Sequence, residues 1–154
     1  MKNWHDESVT LSNVCPWLED SNDAMMVAEK IDIPFQTVDL STEYKERIVD
    51  YMFDEYAAGR TPNPDVLCNS RVKFGAFYDI IGEQFDYVAT GHYADLEIID
   101  DLVCLKTTPD LIKDQTYFLH EVKEDEFKKC IFPLANLNNR SVLLIGIIDI
   151  LASF

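Results

Sequence analysis

The chain has 154 residues, of which 47% are hydrophobic and 12% aromatic. This is the size and composition of one folded domain, and it excludes a disordered or low-complexity protein. Thirteen Lys and Arg residues face 28 Asp and Glu residues, so the formal net charge is −15. Proteins that bind nucleic acids broadly are usually basic, so this balance argues against wide electrostatic contact with DNA or RNA.

The four cysteines, at positions 15, 68, 104 and 130, show no metal-binding spacing. No cationic, apolar leader is visible, and the longest apolar stretch, residues 142–154, is too short to span a bilayer. These features predict reduced thiols in a cytoplasmic protein, with no metal site and no membrane contact.

The first predicted elements are a helix, a strand and a second helix. Ser21, Asn22 and Asp23 predict the cap of a helix over 24–30, which would bury Met25, Val27, Ala28 and Ile31. The loose alternation of residues 35–40 predicts a strand. Ser41 or Thr42 would cap the next helix, which would bury Tyr44, Ile48, Met52 and Tyr56 on one face and stop at Gly59.

The rest of the chain continues this alternation. The two prolines in 61–65 predict an irregular loop, followed by a helix over 69–83 with Val72, Phe77, Ile80 and Ile81 inward. Residues 86–90 predict a buried strand, 96–107 a hairpin turning at Asp100-Asp101, and 114–120 and 124–130 short helices. Helices alternating with strands predict an α/β fold with a mostly parallel sheet, whose ligands bind beyond the carboxyl ends of the strands.

Cys68 is the first candidate functional residue. The predicted helix start at Asn69 would place the thiol at a helix N-terminus, where the dipole lowers the pKa of a cysteine. The segment 59–78 also holds three basic residues, Arg60, Arg71 and Lys73, against the single acid Asp65. A nucleophilic thiolate and a thiol buried as a small apolar group are about equally favoured by these features.

Two further segments carry polar groups that suit a ligand. Gly91-His92-Tyr93 follows a predicted strand, so Gly91 would allow close approach of a ligand, although a simple turn and a structural His92 are favoured. Lys113-Asp114-Gln115 suits contact with a phosphate backbone, or a helix start capped by Asp114. The sequence contains no glycine-rich phosphate-binding motif.

Several motifs together resemble one family. The sequence Gly59-Arg60-Thr61-Pro62-Asn63-Pro64-Asp65-Val66-Leu67-Cys68-Asn69, followed by Lys73-Phe74, resembles the core signature of the tRNA-specific 2-thiouridylases of the MnmA type. Further family motifs occur in the same order as in the family: Met1-Lys2-Asn3-Trp4, Ala89-Thr90-Gly91-His92-Tyr93, Lys113-Asp114-Gln115-Thr116-Tyr117-Phe118-Leu119 and Phe132-Pro133-Leu134.

The resemblance implies ATP-dependent sulfur transfer to C2 of the wobble uridine of tRNA, with Mg²⁺ accompanying ATP and a persulfide donor supplying sulfur. Cys68 then corresponds to the nucleophile and Asp65 to a proton-transfer group. The remaining expected roles are target-base binding by Asn63, Pro64 and Asp65, ATP binding by Met1 and Gly91, and tRNA binding by Lys113, Asp114 and Gln115. DNA is not an expected partner.

The same resemblance implies an incomplete domain. The expected fold is a parallel sheet of the PP-loop ATPase type, related to the adenine-nucleotide alpha-hydrolases, with its first two strands and phosphate loop missing. Residues 1–137 would form the partial catalytic domain, and residues 138–154 a divergent apolar tail. We therefore expect an enzyme fragment that is inactive alone. The alternatives are a non-catalytic remnant and a module that binds tRNA or a protein partner.

Overall fold

A computed structural model describes residues 16–138 and 140–142. The chain divides into two compact units, Met1–Pro62 and Asn63–Phe154. Met1, Cys15 and most of the predicted tail lie outside the described residues. None of the described helices is long and apolar enough to cross a membrane.

The first unit begins with a helix longer than predicted. Helix α1 spans Pro16–Lys30, so Ser21, Asn22 and Asp23 lie within the helix and do not cap it. Proline suits the first position of a helix, because the N–H that it lacks would have no partner inside the helix. Of the four side chains expected to be buried, only Ala28 is; the exposed ones are Met25, Val27 and Ile31.

The prediction of a strand over residues 35–40 is wrong. Within residues 35–40 only Asp39 takes part in a β-bridge, and a single bridge is not the ladder of hydrogen bonds that makes a strand. Asp39, and neither Ser41 nor Thr42, supplies the acceptor at the start of the next helix. Its carboxylate accepts from the Ser41 N–H at 3.0 Å and also from the Ser41 hydroxyl.

The second helical run of this unit has three parts: α2 (Ser41–Tyr44), a π-helical stretch (Lys45–Val49) and α3 (Asp50–Ala57). Ile48 is fully buried, whereas Tyr56 is more than half exposed, so the predicted apolar face is only partly correct. Gly59 ends the run as predicted. Its φ of 73° is left-handed, and its N–H donates to Tyr56 O at 3.0 Å.

The second unit opens with one long helical run that begins at Pro64, five residues before the predicted start. It comprises α4 (Pro64–Leu67), a π-helical stretch (Cys68–Ala76), α5 (Phe77–Ile81) and a 3₁₀ turn (Gly82–Gln84). Val72 and Phe74 provide the buried face. Ile80, which was expected to be inward, is 45% exposed.

The strands form two pairs. β1 (Val88–Ala89) lies parallel to β4 (Cys130–Ile131), and β2 (Asp95–Ile99) lies antiparallel to β3 (Leu102–Lys106). The hairpin turns at Asp100 and Asp101 as predicted, and both have the positive φ that a tight hairpin turn requires. β1 is shorter and more exposed than predicted. A parallel pair with surrounding helices confirms the α/β class.

The core of the second unit lies where the long helix packs against the later segments. A 3₁₀ turn (Thr116–Leu119) and α6 (Glu124–Phe127) complete its frame. The buried cluster consists of Phe74, Ala94, Leu119, Val122, Phe127, Cys130, Phe132 and Ala135. These side chains fix the position of the long helix, which carries the candidate site.

Candidate functional site

A cavity of about 240 Å³ lies within the second unit. The long helix contributes four side chains to its lining, the loop after β1 contributes one, and the 3₁₀ turn region contributes two. The lining residues are Asp65, Cys68, Asn69, Lys73, His92, Gln115 and Phe118. The fold therefore brings a thiol, a carboxylate, a cation, an imidazole and an aromatic ring to one small space.

The start of the long helix follows from three consecutive residues. Asn63 is the N-cap, and its side chain accepts from the Val66 N–H at 3.5 Å. Pro64 occupies the first helical position, and Asp65 follows with a negative charge near the positive end of the dipole. Cys68 consequently lies past the first turn of the helix, not at its N-terminus as predicted.

The electrostatics of Cys68 also differ from the prediction. Burial raises the pKa of the Cys68 thiol, Lys73 lowers it in part, and Asp65 raises it further. The thiol is thus not activated by the helix start. The predicted cationic surroundings are reduced too, because Arg60 forms a bidentate pair with Glu55 at 2.5 and 2.6 Å and does not line the cavity.

A continuous hydrogen-bond network orders one wall of the cavity. Asn69 is 3% exposed, and its Nδ2 donates to Phe118 O at 3.0 Å, which leaves its Oδ1 facing His92 Nε2 at 3.1 Å. The carbonyl of Phe118 only accepts, so Asn69 Nδ2 faces it, and Asn69 Oδ1 accepts a hydrogen bond from the N–H at His92 Nε2. The hydroxyl of Thr90 then donates to His92 Nδ1 at 2.6 Å.

This network holds His92 in the neutral state. Burial, with a smaller contribution from Lys73, lowers the pKa of His92 to about 4. Both ring nitrogens are already engaged by Asn69 and Thr90. The structural interpretation of His92 is therefore correct: the ring shapes the cavity wall and is not a free acid or base.

The part of the lining that contains Gln115 is held by paired contacts between two loops. Tyr93 N–H donates to Gln115 Oε1 at 2.9 Å, and Gln115 N–H donates to Tyr93 O at 2.8 Å. With its Oε1 engaged, the group that Gln115 can offer to a ligand is its Nε2 donor. A ligand acceptor would therefore suit this wall.

Asp114 serves the loop itself. Its carboxylate accepts from the Thr108 N–H at 2.8 Å and the Thr116 N–H at 3.1 Å, and also from the hydroxyls of both threonines. These bonds outweigh partial burial and lower the pKa of Asp114. The N-cap of the 3₁₀ turn is Gln115 and not Asp114 as predicted, but Asp114 still serves the start of this turn by accepting from the Thr116 N–H. The neighbouring Lys113 is exposed.

The structure brings some of the predicted site residues together and leaves others apart. Asp65, Cys68 and Gln115 line the cavity. The predicted residues outside its lining are Asn63, Pro64, Gly91, Lys113 and Asp114. Met1 lies outside the described residues.

Four lining residues were not predicted as site residues: Asn69, Lys73, His92 and Phe118. A helix beginning at Pro64 would have revealed two of them, because residues 65, 69 and 73 follow the i, i+4 spacing of one helix face. The Asn-Pro-Asp start signal was present in the sequence. No local signal placed Phe118 near Cys68, since a tertiary contact decides it.

Comparison with known families defines the class of protein. Residues 1–146 match the family described as the tRNA methyl transferase HUP domain. The match covers nearly the whole chain, so the chain belongs to this family. It also agrees with the expected PP-loop ATPase type of α/β domain.

Individual relatives define the resemblance more closely than the family does. The chain is 57% identical to a tRNA-specific 2-thiouridylase MnmA of Flavobacterium johnsoniae, over 92% of this chain and 37% of that protein. It is 45% identical to a protein of the same name from Lactobacillus johnsonii, over 99% of this chain and 41% of that protein. The resemblance to the tRNA-specific 2-thiouridylases is confirmed, and the chain spans about two fifths of the length of these relatives.

Proposed function

We propose that this chain provides the target-base and nucleophile part of a tRNA 2-thiouridylase, which transfers sulfur to C2 of the wobble uridine. The observation that carries this proposal is the cavity in which Cys68 and Asp65 lie together. The relatives bear the name of this activity. The domain boundaries, 1–137 and 138–154, remain part of the proposal.

The size and lining of the cavity suit a single base. Ligand pockets for drug-sized molecules measure about 300–1,000 Å³, and this cavity, at about 240 Å³, is smaller. A uridine turned out of the anticodon loop could stack on the Phe118 ring and accept a hydrogen bond from Gln115 Nε2. Asn63 and Pro64 begin the helix that presents Asp65 and Cys68 to that base.

In this assignment Cys68 supplies the nucleophilic thiolate and Asp65 exchanges protons at the mouth of the cavity. Asp65 is exposed, so water can equilibrate its proton, whereas Cys68 is 9% exposed and protected. Burial lengthens the lifetime of a reactive sulfur species, because competing solvent is excluded. Sulfur would come from a persulfide donor protein.

Binding of tRNA would use the loop that contains Lys113, Asp114 and Gln115. Lys113 is exposed and can meet a phosphate, while Asp114 keeps the loop in shape through its threonine contacts. The net charge of −15 limits the area of such contact. An RNA loop can be recognised through a single base turned out of the loop. Such recognition needs few phosphate contacts, which agrees with an acidic chain.

ATP is the expected cofactor, with Mg²⁺ on its phosphates; when bound, it makes the C2 oxygen of uridine a leaving group. Gly91 fits one contact, because a Cβ there would meet no atom within 4 Å and its backbone is open to a ligand. Met1 is the second proposed contact. The sequence has no glycine-rich phosphate-binding motif.

The described cysteines Cys68, Cys104 and Cys130 are free thiols. Free thiols suit a reducing compartment, which supports a cytoplasmic location.

The test is a chimaera in which this chain replaces the aligned part of the Flavobacterium johnsoniae relative. We expect the chimaera to form 2-thiouridine in tRNA with ATP and a persulfide donor. Cys68→Ser should reduce the rate at least about 100-fold, as loss of a nucleophile does, while Cys104→Ser should not. Mass spectrometry of nucleosides from the tRNA measures both rates.

Three other outcomes would overturn or limit the proposal. A folded chimaera that binds tRNA but never thiolates it would indicate a binding module, and one that does neither would indicate a non-catalytic remnant. Equal activity of Cys68→Ser and the unaltered chimaera would remove Cys68 from the chemistry.

A further inference from the structure

The lining of the cavity contains a cation that the proposed roles of Cys68 and Asp65 do not use. Of the seven residues that line it, Asp65 carries a negative charge and Lys73 a positive one. His92, the other basic residue of the lining, is held neutral between Asn69 and Thr90. Within the lining, Lys73 is therefore the one group available to balance an anion on Cys68.

The unusual winding of the long helix brings this cation to the thiol. In an α-helix, at about 100° per residue, residues five apart point about 140° away from each other. From Cys68 to Ala76 the helix is π-helical: the Phe77 N–H, for example, bonds to the carbonyl of Val72, five residues earlier. Residues five apart then lie on the same face, and Cys68 and Lys73 both line the cavity.

We infer that Lys73 is a positioning residue that stabilises the Cys68 thiolate. The inference rests on the proposed function of Cys68 and adds the source of its reactivity. The groups that face the thiol act in opposite directions: burial and Asp65 oppose ionisation, Lys73 favours it, and His92 adds no charge. Removing Lys73 would leave the thiol with no compensating cation in the lining.

The measurement is the pH dependence of Cys68 alkylation by iodoacetamide in the purified chain, with each cysteine mapped by mass spectrometry. Lys73→Met should slow alkylation at pH 7.5 by about threefold or more and move the midpoint to higher pH, because a nearby charge contributes at least this much outside bulk water. Lys73→Arg keeps the charge and should restore the profile. Asp65→Asn should move the midpoint the other way.

The matched control is Arg71→Met, which removes an exposed cation from the same helical stretch without changing the cavity lining. We expect its Cys68 profile to match that of the unaltered chain. Circular dichroism of each variant confirms that the helix persists. If Lys73 had only a structural role, Lys73→Met would alter folding without displacing the midpoint of Cys68 alkylation. Lys73→Arg would then not restore the alkylation profile.

The outcomes separate this inference from the proposed function. If Lys73→Met leaves the Cys68 profile unchanged while Cys68→Ser abolishes thiolation in the chimaera, Lys73 has no such role and the proposed function stands. If Cys68→Ser retains thiolation, the proposed nucleophile is wrong whatever the alkylation shows. A shifted profile together with loss of thiolation in Lys73→Met and recovery in Lys73→Arg supports both.

Discussion

The two units of the chain bury their apolar side chains to different extents. In the described part of the first unit, the buried apolar side chains are Ala28, Leu40, Ile48 and Val49. The same unit exposes many large ones: Leu18, Met25, Met26, Val27, Ile31, Ile33, Phe35, Phe53 and Tyr56. In the second unit, a connected aromatic and aliphatic cluster lies directly beneath the candidate cavity.

This difference explains why the cavity belongs to the second unit. Reactive groups keep a useful geometry only when their rotamers are locked by packing and hydrogen bonds behind them. Phe74 lies in the core and its ring is 6.0 Å from that of His92, so the core supports the hydrogen-bonded wall directly. Large apolar side chains are exposed in the described parts of both units, so the connected buried cluster, and not the apolar surface, distinguishes the second unit.

Core truncation should affect the second unit most strongly. Phe74 is 1% exposed and packs against Tyr78 and Phe127. Phe74→Ala should lower the free energy of unfolding by about 3–5 kcal/mol, whereas Phe53→Ala, at 66% exposure, should change it by less than about 0.5 kcal/mol. Urea unfolding measures both values, and similar losses would contradict the contrast between the units.

Acid should weaken the second unit through His92. Its pKa is about 4 when folded and 6.5 when unfolded, so between these values the unfolded chain binds the additional proton. The free energy of unfolding keeps its full value above pH 6.5 and falls as the pH approaches 4. The loss is about 2 kcal/mol once the partial solvent exposure of His92 is considered.

The control for this effect is His92→Gln, which retains an amide donor for Asn69 and does not titrate. The difference in unfolding free energy between the two proteins should shrink as the pH falls from 6.5 to 4. A constant difference over that range would mean that the ring is not held neutral. Urea unfolding at several pH values measures it.

A glycine pair gives the smallest predicted effect. Gly59, in the first unit, has a φ of 73°, and a Cβ there would meet no atom within 4 Å. Gly59→Ala should therefore cost about 1 kcal/mol from backbone strain alone. Gly91, in the second unit, has equal space without that conformation, so Gly91→Ala should be close to neutral in urea unfolding. A loss of stability in Gly91→Ala together with none in Gly59→Ala would contradict this prediction.

The elements that the sequence predicted well depend on neighbouring residues. The hairpin turn at Asp100 and Asp101, the stop at Gly59 and the loop after β1 all follow from local turn chemistry. The helix starts were predicted poorly. Pro16 and Pro64 each open a helix, whereas the prolines of 61–65 were interpreted only as helix breakers.

The sequence by itself determined the family, the α/β class and the candidates Cys68, Asp65 and Gln115, because motifs and periodicity are properties of the chain. Tertiary structure alone decided the state of those groups. Asn69 meets His92 across 23 residues and Phe118 across 49, which joins separate segments into one wall. Burial by those segments reverses the predicted direction of the pKa of Cys68, because desolvation depends on what surrounds a thiol and not on its neighbours in sequence.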